Sequence, residues 1–518
     1  MKQAVIFLLL ITAFKVNSQV TVTGGADQVT HMPQTSLTIT ATATGSPTTI
    51  QWTKLSGSSS GVRTQEGKIT SPTSLTTTIT NIGVAVYTYE IAVSNGTTTA
   101  KDTVTVTGYG QRSRTPNPNF EKFVLTPFSN QYFYTNIMNN FPTLNGGDTL
   151  VLSASTTGVA QFYGDDGSGG WGGDSLYPVV IINPPNQQIN IAGAFRCNGQ
   201  YIKITGSGSV NHKYGFKLSG ADKSGFVFPA RASDIEIERV ESDGGDNSIY
   251  CKSQIDSTNV LTYHPNWYFK NLYFHDLKFQ NTGGESMYIG HTFTFDQGQP
   301  TTGYIPVKMK DVLITRDTII NAGWDGIQIS NTEGVTITHN YVNGTGGAGM
   351  SSQQYGIIFG GYASGRLDSN TVLNTRSSGL AIFGYGDISV KGNRLKNNGF
   401  NAGGSTFAAI YINDNQIGFI GTPSPRLRVL VEDNCIEDIP NYSGGAAIRS
   451  ADGNNTTLPS IFRNNRITDA LSRPFTNTIL SQGSGDTIAG NAFGACFNLP
   501  TRKYILRKAG RGLKFKRR

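Results

Sequence analysis

The sequence predicts an all-β protein in which a small sandwich precedes a long solenoid of short parallel strands. Three observations predict it. Runs of period-two alternation separated by Gly, Pro, Ser and Asn clusters fill the first hundred residues. A strand–Asn–strand phrase then recurs between residues 337 and 493. Long helical patterns are nearly absent from a chain of 518 residues that holds 62 Gly and is only 15% charged.

The N-terminus reads as a secretory signal. Lys2 gives a positive start, Ala4 to Phe14 is apolar, and Val16-Asn17-Ser18 offers small residues before Gln19. The apolar run is shorter than the roughly 20 residues that a bilayer span needs. Residues 1–18 are therefore expected to be cleaved, leaving a secreted or periplasmic chain without a membrane span.

Residues 20–108 form one compositional block. Ser36-Leu37-Thr38-Ile39-Thr40 and Tyr87-Thr88-Tyr89-Glu90-Ile91-Ala92-Val93 alternate, with turn signals between them, as in a β-sandwich. Trp52 lies in a third such run, expected to pack against the Tyr87–Val93 strand. The order Gly25-Ala26-Asp27-Gln28, the Trp52 strand, Thr76–Asn81 and Asp102-Thr103-Val104-Thr105-Val106 resembles a PKD-type Ig-like domain. Thr44-Gly45-Ser46-Pro47 stands where that family has an acidic turn, so no calcium site is carried over. Residues 109–119, with two Pro and two Arg, read as a linker.

From residue 120 to 498 the chain repeats itself. Ile337-Thr338-His339-Asn340-Tyr341-Val342 returns at Asn370, Asn393, Asn434, Asn465 and Asn491, with separations of 30, 23, 41, 31 and 26 residues. A leucine-rich repeat would keep a stricter period. A variable period with a constant strand phrase fits a solenoid whose turns admit loops of any length, each rung stacked about 4.8 Å from the next. The recurrent Asn is expected to form an inward amide ladder. Gly146-Gly147-Asp148-Thr149-Leu150-Val151-Leu152, after the aromatic stretch from Phe128 to Phe141, is expected to be the first rung beneath an N-terminal cap. This pattern resembles the right-handed parallel β-helix (pectate-lyase-like) superfamily.

The formal charge of +8 is a property of the tail. Residues 499–518 hold nine of the 42 Lys and Arg and no acid. The body is close to neutral, and nucleic acid is not an expected partner. Cys197, Cys251, Cys435 and Cys496 allow three pairings and the sequence selects none. Cys251 alternates in phase with Ile249, and the four read as packed core thiols rather than bridges.

Aligning rungs on the inward apolar residue gives Phe216, Ile249, Met287, Ile327, Ile357, Leu380, Ile410 and Ile448. Two residues earlier lies a column containing Tyr214, Asn247, Glu285, Asp325 and Tyr355. One residue later lies an outward column containing Lys217, Tyr250, Tyr288, Gln328 and Tyr411, with Lys252 and His291 just beyond. Glu285 and Asp325 are then expected on adjacent rungs. Two stacked carboxyls repel, so one takes a raised pKa or the pair holds a cation.

The catalytic candidates are accordingly Glu285, Asp325, His291 and Lys252. The substrate-binding candidates are Tyr250, Tyr288, Gln328 and Tyr355. No cofactor is expected, except that a lyase could use calcium held by Glu285 and Asp325 to neutralise a uronate. Trp324-Asp325-Gly326-Ile327 resembles the strand start of polygalacturonases. The next rung has Gln354-Tyr355-Gly356 instead of paired Asp, and no Gly-His-Gly follows, so that specific assignment is rejected. Asp165-Asp166-Gly167 with Asp174 is a weak calcium candidate, and His264 and His275 read as packing residues. The function expected from the resemblance is cleavage of an extended polysaccharide by a lyase or glycoside hydrolase. The alternative is a glycan-binding or adhesion protein without catalysis. The oligomeric state is left open.

Overall fold

The structure is a computed structural model. It describes residues 19–31, 36–57, 67–82, 85–109, 120–125, 133–136, 144–163, 171–173, 176–219, 224–228, 232–252, 255, 262–264, 267–292, 305–350, 353–400, 408–413, 427–439, 445–451, 459–468, 478–481 and 485–496. The signal at 1–18, the linker after Tyr109, the Asp165–Asp174 ligands and the basic tail lie outside these residues. The chain divides into two compact units, Met1–Tyr109 and Gly110–Arg518.

The first unit is built from antiparallel strands, except that Gln28–His31 pairs in parallel with Thr99–Tyr109. Gln28–His31, Thr99–Tyr109, Ala85–Ser94 and Thr49–Ser56 form a four-stranded sheet, and Leu37–Thr40, Thr76–Thr80 and Lys68–Ile69 form a three-stranded one. Thr-rich alternation leaves hydroxyls outside while Trp52, Ile79, Tyr87, Ile91 and Val104 close the core. Trp52 is paired with Ile91 in the same sheet, so its strand is a hydrogen-bonded neighbour of Ala85–Ser94 rather than a facing one. Its indole donates to Ser74 O at 2.9 Å, which satisfies the one polar atom the ring buries.

The second unit is a parallel solenoid. Each rung contributes a strand to three sheets in turn, as in Ile327–Ile329, Val335–Thr338 and Tyr341–Asn343 before the next rung starts at Ile357–Phe359. These first, second and third sheets have 12, 14 and 11 strands among the described residues. Every strand pair within the three sheets is parallel, as in Ile327 against Ile357 and Ile337 against Leu367. The interior is filled by stacked side chains of one kind, such as Phe162 and Phe195, whose ring centres are 4.8 Å apart.

The first rung starts earlier than the sequence suggested. Lys122–Leu125 already pairs with Thr149–Leu152, and Phe133–Asn136 with Ala160–Tyr163. Asp148, fully buried, accepts from Glu121 N at 2.8 Å and Asn145 N at 2.6 Å, tying these two rungs together. The expected cap segments on either side of Phe133–Asn136 lie outside the described residues.

The Asn ladder is present between the second and third sheets. Each Nδ2 of Asn340, Asn370, Asn393, Asn434 and Asn465 donates to Oδ1 of the next Asn at 2.9 to 3.0 Å. The same Nδ2 also donates to a main-chain carbonyl of the neighbouring rung, as Asn393 does to Leu367 O. The residue before each Asn turns the chain with positive φ, and Gly392 and Gly490 do so without a Cβ penalty. A second, outer series was not read from the sequence: Asn321 donates to Asn281, and Asn397 to Asn374.

Cys435 and Cys496 form a disulfide with Cα atoms 5.6 Å apart, which corrects the expectation of four core thiols. Their spacing of 61 residues hides the pairing, because the intervening chain returns through more than one rung. Cys197 and Cys251 are free and buried.

Candidate functional site

The register from Ile249 onward is the expected one. Ile249, Met287, Ile327, Ile357, Leu380, Ile410 and Ile448 pair in sequence on the first sheet. Phe216 does not belong to this column. It starts a strand of the third sheet, and Phe226 is the true partner of Ile249. Tyr214, Lys217 and Ser219 therefore leave the face. The error arises because Phe216-Lys217-Leu218 and Phe226-Val227 both offer an inward Phe, and only the pairing separates them.

Outward from these anchors stand Tyr250, Tyr288 and Gln328 on successive strands. Tyr250 and Tyr288 meet edge to face with ring centres 5.8 Å apart. Lys252, just after the first strand, holds its ammonium 5.0 Å from the Tyr250 ring and 4.0 Å from the Tyr288 ring. Such a cation is attracted by the ring faces and needs no carboxylate to stay in place. Thr292 links the next two side chains, its hydroxyl lying 2.7 Å from Tyr288 Oη and accepting from Gln328 Nε2 at 2.6 Å.

Glu285 and Asp325 sit on adjacent rungs, as Ser286 N donating to Asp325 O at 3.1 Å shows. Both are closed off, with exposures of 1% and 0%. Glu285 accepts from Asn247 Nδ2 at 3.0 Å and from Gln353 Nε2 at 2.8 Å. Burial raises its pKa, and its amide partners and Lys252 only partly oppose this. Asp325 Oδ1 accepts from Tyr355 N at 2.7 Å, while Oδ2 has no partner among the described residues. Burial first, and then the charge of Glu285, push Asp325 well above the usual carboxylate range. Both groups are thus held toward the neutral acid.

Tyr288 is raised by burial and by the two acids, and Tyr355 is pushed up to about 12 by burial and then by Asp325. Tyr355 packs beside Ile358, Ala381, Phe383 and Tyr411 farther along the face. His291 is buried at the end of its strand, after Gly290. Contacts link seven of the eight candidates, and Asn247, Gln353 and Thr292 join them, while His291 is placed by its position after Gly290. Gln353 was beyond reach of register reasoning because it lies in a loop, not on a rung.

Both oxygens of Glu285 already accept from amides, and no third His, Cys, Asp or Glu joins Glu285 and Asp325 among the described residues. The second sheet carries a different cluster, Glu236, Glu238 and His275, whose ligand atoms lie within 4.8 Å of one another. Lys203 occupies its centre, at 2.7 Å from Glu236 and 2.8 Å from Glu238. His275 continues the network to Glu236 at 3.2 Å and Asp276 at 2.7 Å, and Arg316 binds Asp276 at 2.6 Å. Each carboxylate already has a cationic partner, Glu236 and Glu238 in Lys203 and Asp276 in Arg316, with His275 bridging them. Ile235-Glu236-Ile237-Glu238 was the signal for it, two acids in outward phase on one strand.

Fold and site together define a right-handed parallel β-helix protein. The sequence matches the family model described as right handed beta helix region over residues 326–493, and the rungs before residue 326 continue the same three sheets. No curated protein matches the sequence. Among solved structures, a family 28 exopolygalacturonase from Yersinia enterocolitica is similar at 9% identity, over 90% of this chain and 98% of that one, with a TM-score of 0.34. The PL6 family alginate lyase AlyGC is similar at 11% identity over 72% of this chain, with a TM-score of 0.36. This chain spans 51% of that lyase. The PKD domain of human KIAA0319 is similar at 18% identity, over 20% of this chain and 95% of that domain, with a TM-score of 0.17. No helix among the described residues is long and apolar enough to cross a membrane.

Proposed function

We propose that the protein is exported and acts on an extended polysaccharide laid across the rungs of the first sheet, as a lyase or glycoside hydrolase. The observation that carries this reading is the meeting of an ammonium, two tyrosine faces and a carboxyl whose pKa burial raises. Tyr250 and Tyr288 offer rings on which a sugar can rest. Lys252 supplies the charge that an anionic sugar needs for neutralisation. Cleavage needs a proton for the departing oxygen, and Glu285, whose pKa burial raises, is the group here placed to supply it. Asp325, fully enclosed, acts through Glu285 as a neutral neighbour. His291, Gln328 and Tyr355 complete the surroundings.

A second reading, glycan binding without cleavage, is favoured by one observation: neither carboxyl reaches the surface. Incubation with plant, algal and animal polysaccharides separates the two. New reducing ends indicate cleavage, and a rise in ultraviolet absorbance indicates the unsaturated product of a lyase. Glu285→Gln and Lys252→Ala should each lower turnover at least a hundredfold while the melting temperature holds. Turnover unchanged in both variants eliminates this site. Binding without any product on all polymers selects the second reading.

A further inference from the structure

We propose that the outer face of the second sheet carries a binding site for an anionic sugar polymer, separate from the Lys252 site on the first sheet. Lys308 and Lys310 project from one strand, Lys308–Thr315, with Tyr268 and Lys270 opposite them on the preceding rung. Lys310 holds its ammonium 4.2 Å from the Tyr268 ring, and Lys308 lies 5.9 Å from the Tyr362 ring. A single carboxylate answers both lysines: Glu333 lies 3.7 Å from Lys308 and 3.6 Å from Lys310. Two ammonium groups against one carboxylate leave a net positive charge. Glu333 also accepts from Tyr385 Oη at 3.2 Å, and the Tyr385 ring lies 5.5 Å from Tyr362.

The nearest ring groups, Tyr385 and His264, add no negative charge. Burial first, and then Glu333, push the Tyr385 hydroxyl up to about 12, so it remains a neutral donor. His264, 5.3 Å from Tyr268, is held below its ordinary pKa by burial and then by Lys308. Tyr268 and Tyr385 stand four strands apart in the sheet, about 19 Å at the usual rung spacing. Beyond Glu333 a groove of about 590 Å³ begins at Gly334 and crosses Thr336, Ser389 and Leu430, with Arg366 and Arg428 on its walls. Arg366 pairs with Asp368 at 3.5 Å and Arg428 with Asp387, which also lines the groove, at 3.4 Å, and both arginine side chains remain at least half exposed. Rings and two ammonium groups sharing one carboxylate suit a chain of sugars bearing carboxylate or sulfate.

The test is affinity electrophoresis of the full chain in gels containing polygalacturonate, dextran sulfate or uncharged dextran. Retardation by polygalacturonate marks carboxylate as the group read, retardation by dextran sulfate marks sulfate, and dextran should have no effect. Lys308→Gln with Lys310→Gln should weaken retardation at least tenfold. Tyr362→Asn keeps the net charge, and Asn tolerates the positive φ at that position. It should weaken retardation at least threefold with an unchanged melting temperature. Lys278→Gln with Lys396→Gln removes the same charge from the third sheet and should leave retardation as in the parent. Retardation lost only in the lysine variant reflects bulk charge and overturns the proposal. So does equal retardation by dextran, or an equal loss in the third-sheet variant.

Discussion

Asp317 donates its backbone N–H to Oδ1 of Asn340 at 2.9 Å, and so heads the amide ladder with a carboxyl. Its own Oδ1 accepts from Leu277 N at 2.8 Å. Oδ2 stands where every later member of the ladder has an N–H₂ donor, and it has no partner among the described residues. A carboxylate there faces only acceptors. A carboxylic acid can donate as the amides do.

The first prediction concerns that proton. Burial raises Asp317 to about 8. An unfolded Asp releases its proton near pH 4, so the folded state alone keeps it between there and pH 8. Stability therefore falls as pH rises through this window and levels off above it, by up to roughly 4 kcal/mol at pH 7. Asp317→Asn should raise the melting temperature at pH 7, and its advantage should shrink to nothing near pH 4. Thermal melts from pH 4 to 9 check this. An equal shift at all pH values would show that Asp317 is ionised in the fold.

His275 also loses stability as pH rises, but there the favoured protonated form is the charged one. Burial disfavours its charge, but Asp276 and Glu236 outweigh burial and raise its pKa. Its stabilisation is complete below the unfolded value of about 6.5 and is lost as pH rises through the raised folded value. His275→Gln should cost most at pH 5 to 6 and progressively less above pH 7. The histidine ring resonances, followed by NMR, should titrate later than those of an exposed histidine.

Within the ladder, position decides cost. Asn434 is buried and donates to both Asn465 Oδ1 and Val390 O. Asn434→Ala leaves those acceptors and the Asn393 amide unpaired, at about 2 to 3 kcal/mol. Asn491, half-exposed at the far end, donates to Phe462 O, and water can replace it. Asn491→Ala should cost under about 1 kcal/mol. Urea unfolding of both variants gives the comparison, and equal losses would remove the burial argument.

The Cys435–Cys496 bridge closes the last rungs. A loop of 61 residues corresponds to about 4 kcal/mol in the chain-entropy account. Reduction should speed hydrogen exchange at Thr487–Ala489 and Ala492–Phe493 while leaving Ile327–Ile329 protected. Equal acceleration along the whole solenoid would mean that the bridge supports the fold globally.

The solenoid was legible because its signal is repeated. Each Asn phrase is weak, yet six in one phase leave few folds that satisfy them all. The face from Tyr250 to Tyr411 followed from the same phase, since residues in one column share one side of a sheet. The failures came where phase had no neighbour to check it. Phe216 was placed on the wrong sheet because its rung carries no Asn marker, and the first rung at Lys122–Leu125 was missed beneath an irregular segment.

Sequence alone determined the all-β class, the two units and the stacking of Glu285 next to Asp325, because period and phase are properties of the chain. Tertiary structure alone decided what those neighbours are. Only it encloses both carboxyls, brings Gln353 from a distant loop onto Glu285 and seats Lys252 between two rings. Only it puts Lys203 into the acid cluster and Cys496 against Cys435. The reason is physical: charge state and pairing depend on desolvation and on contacts across many residues, and neither is written in local spacing.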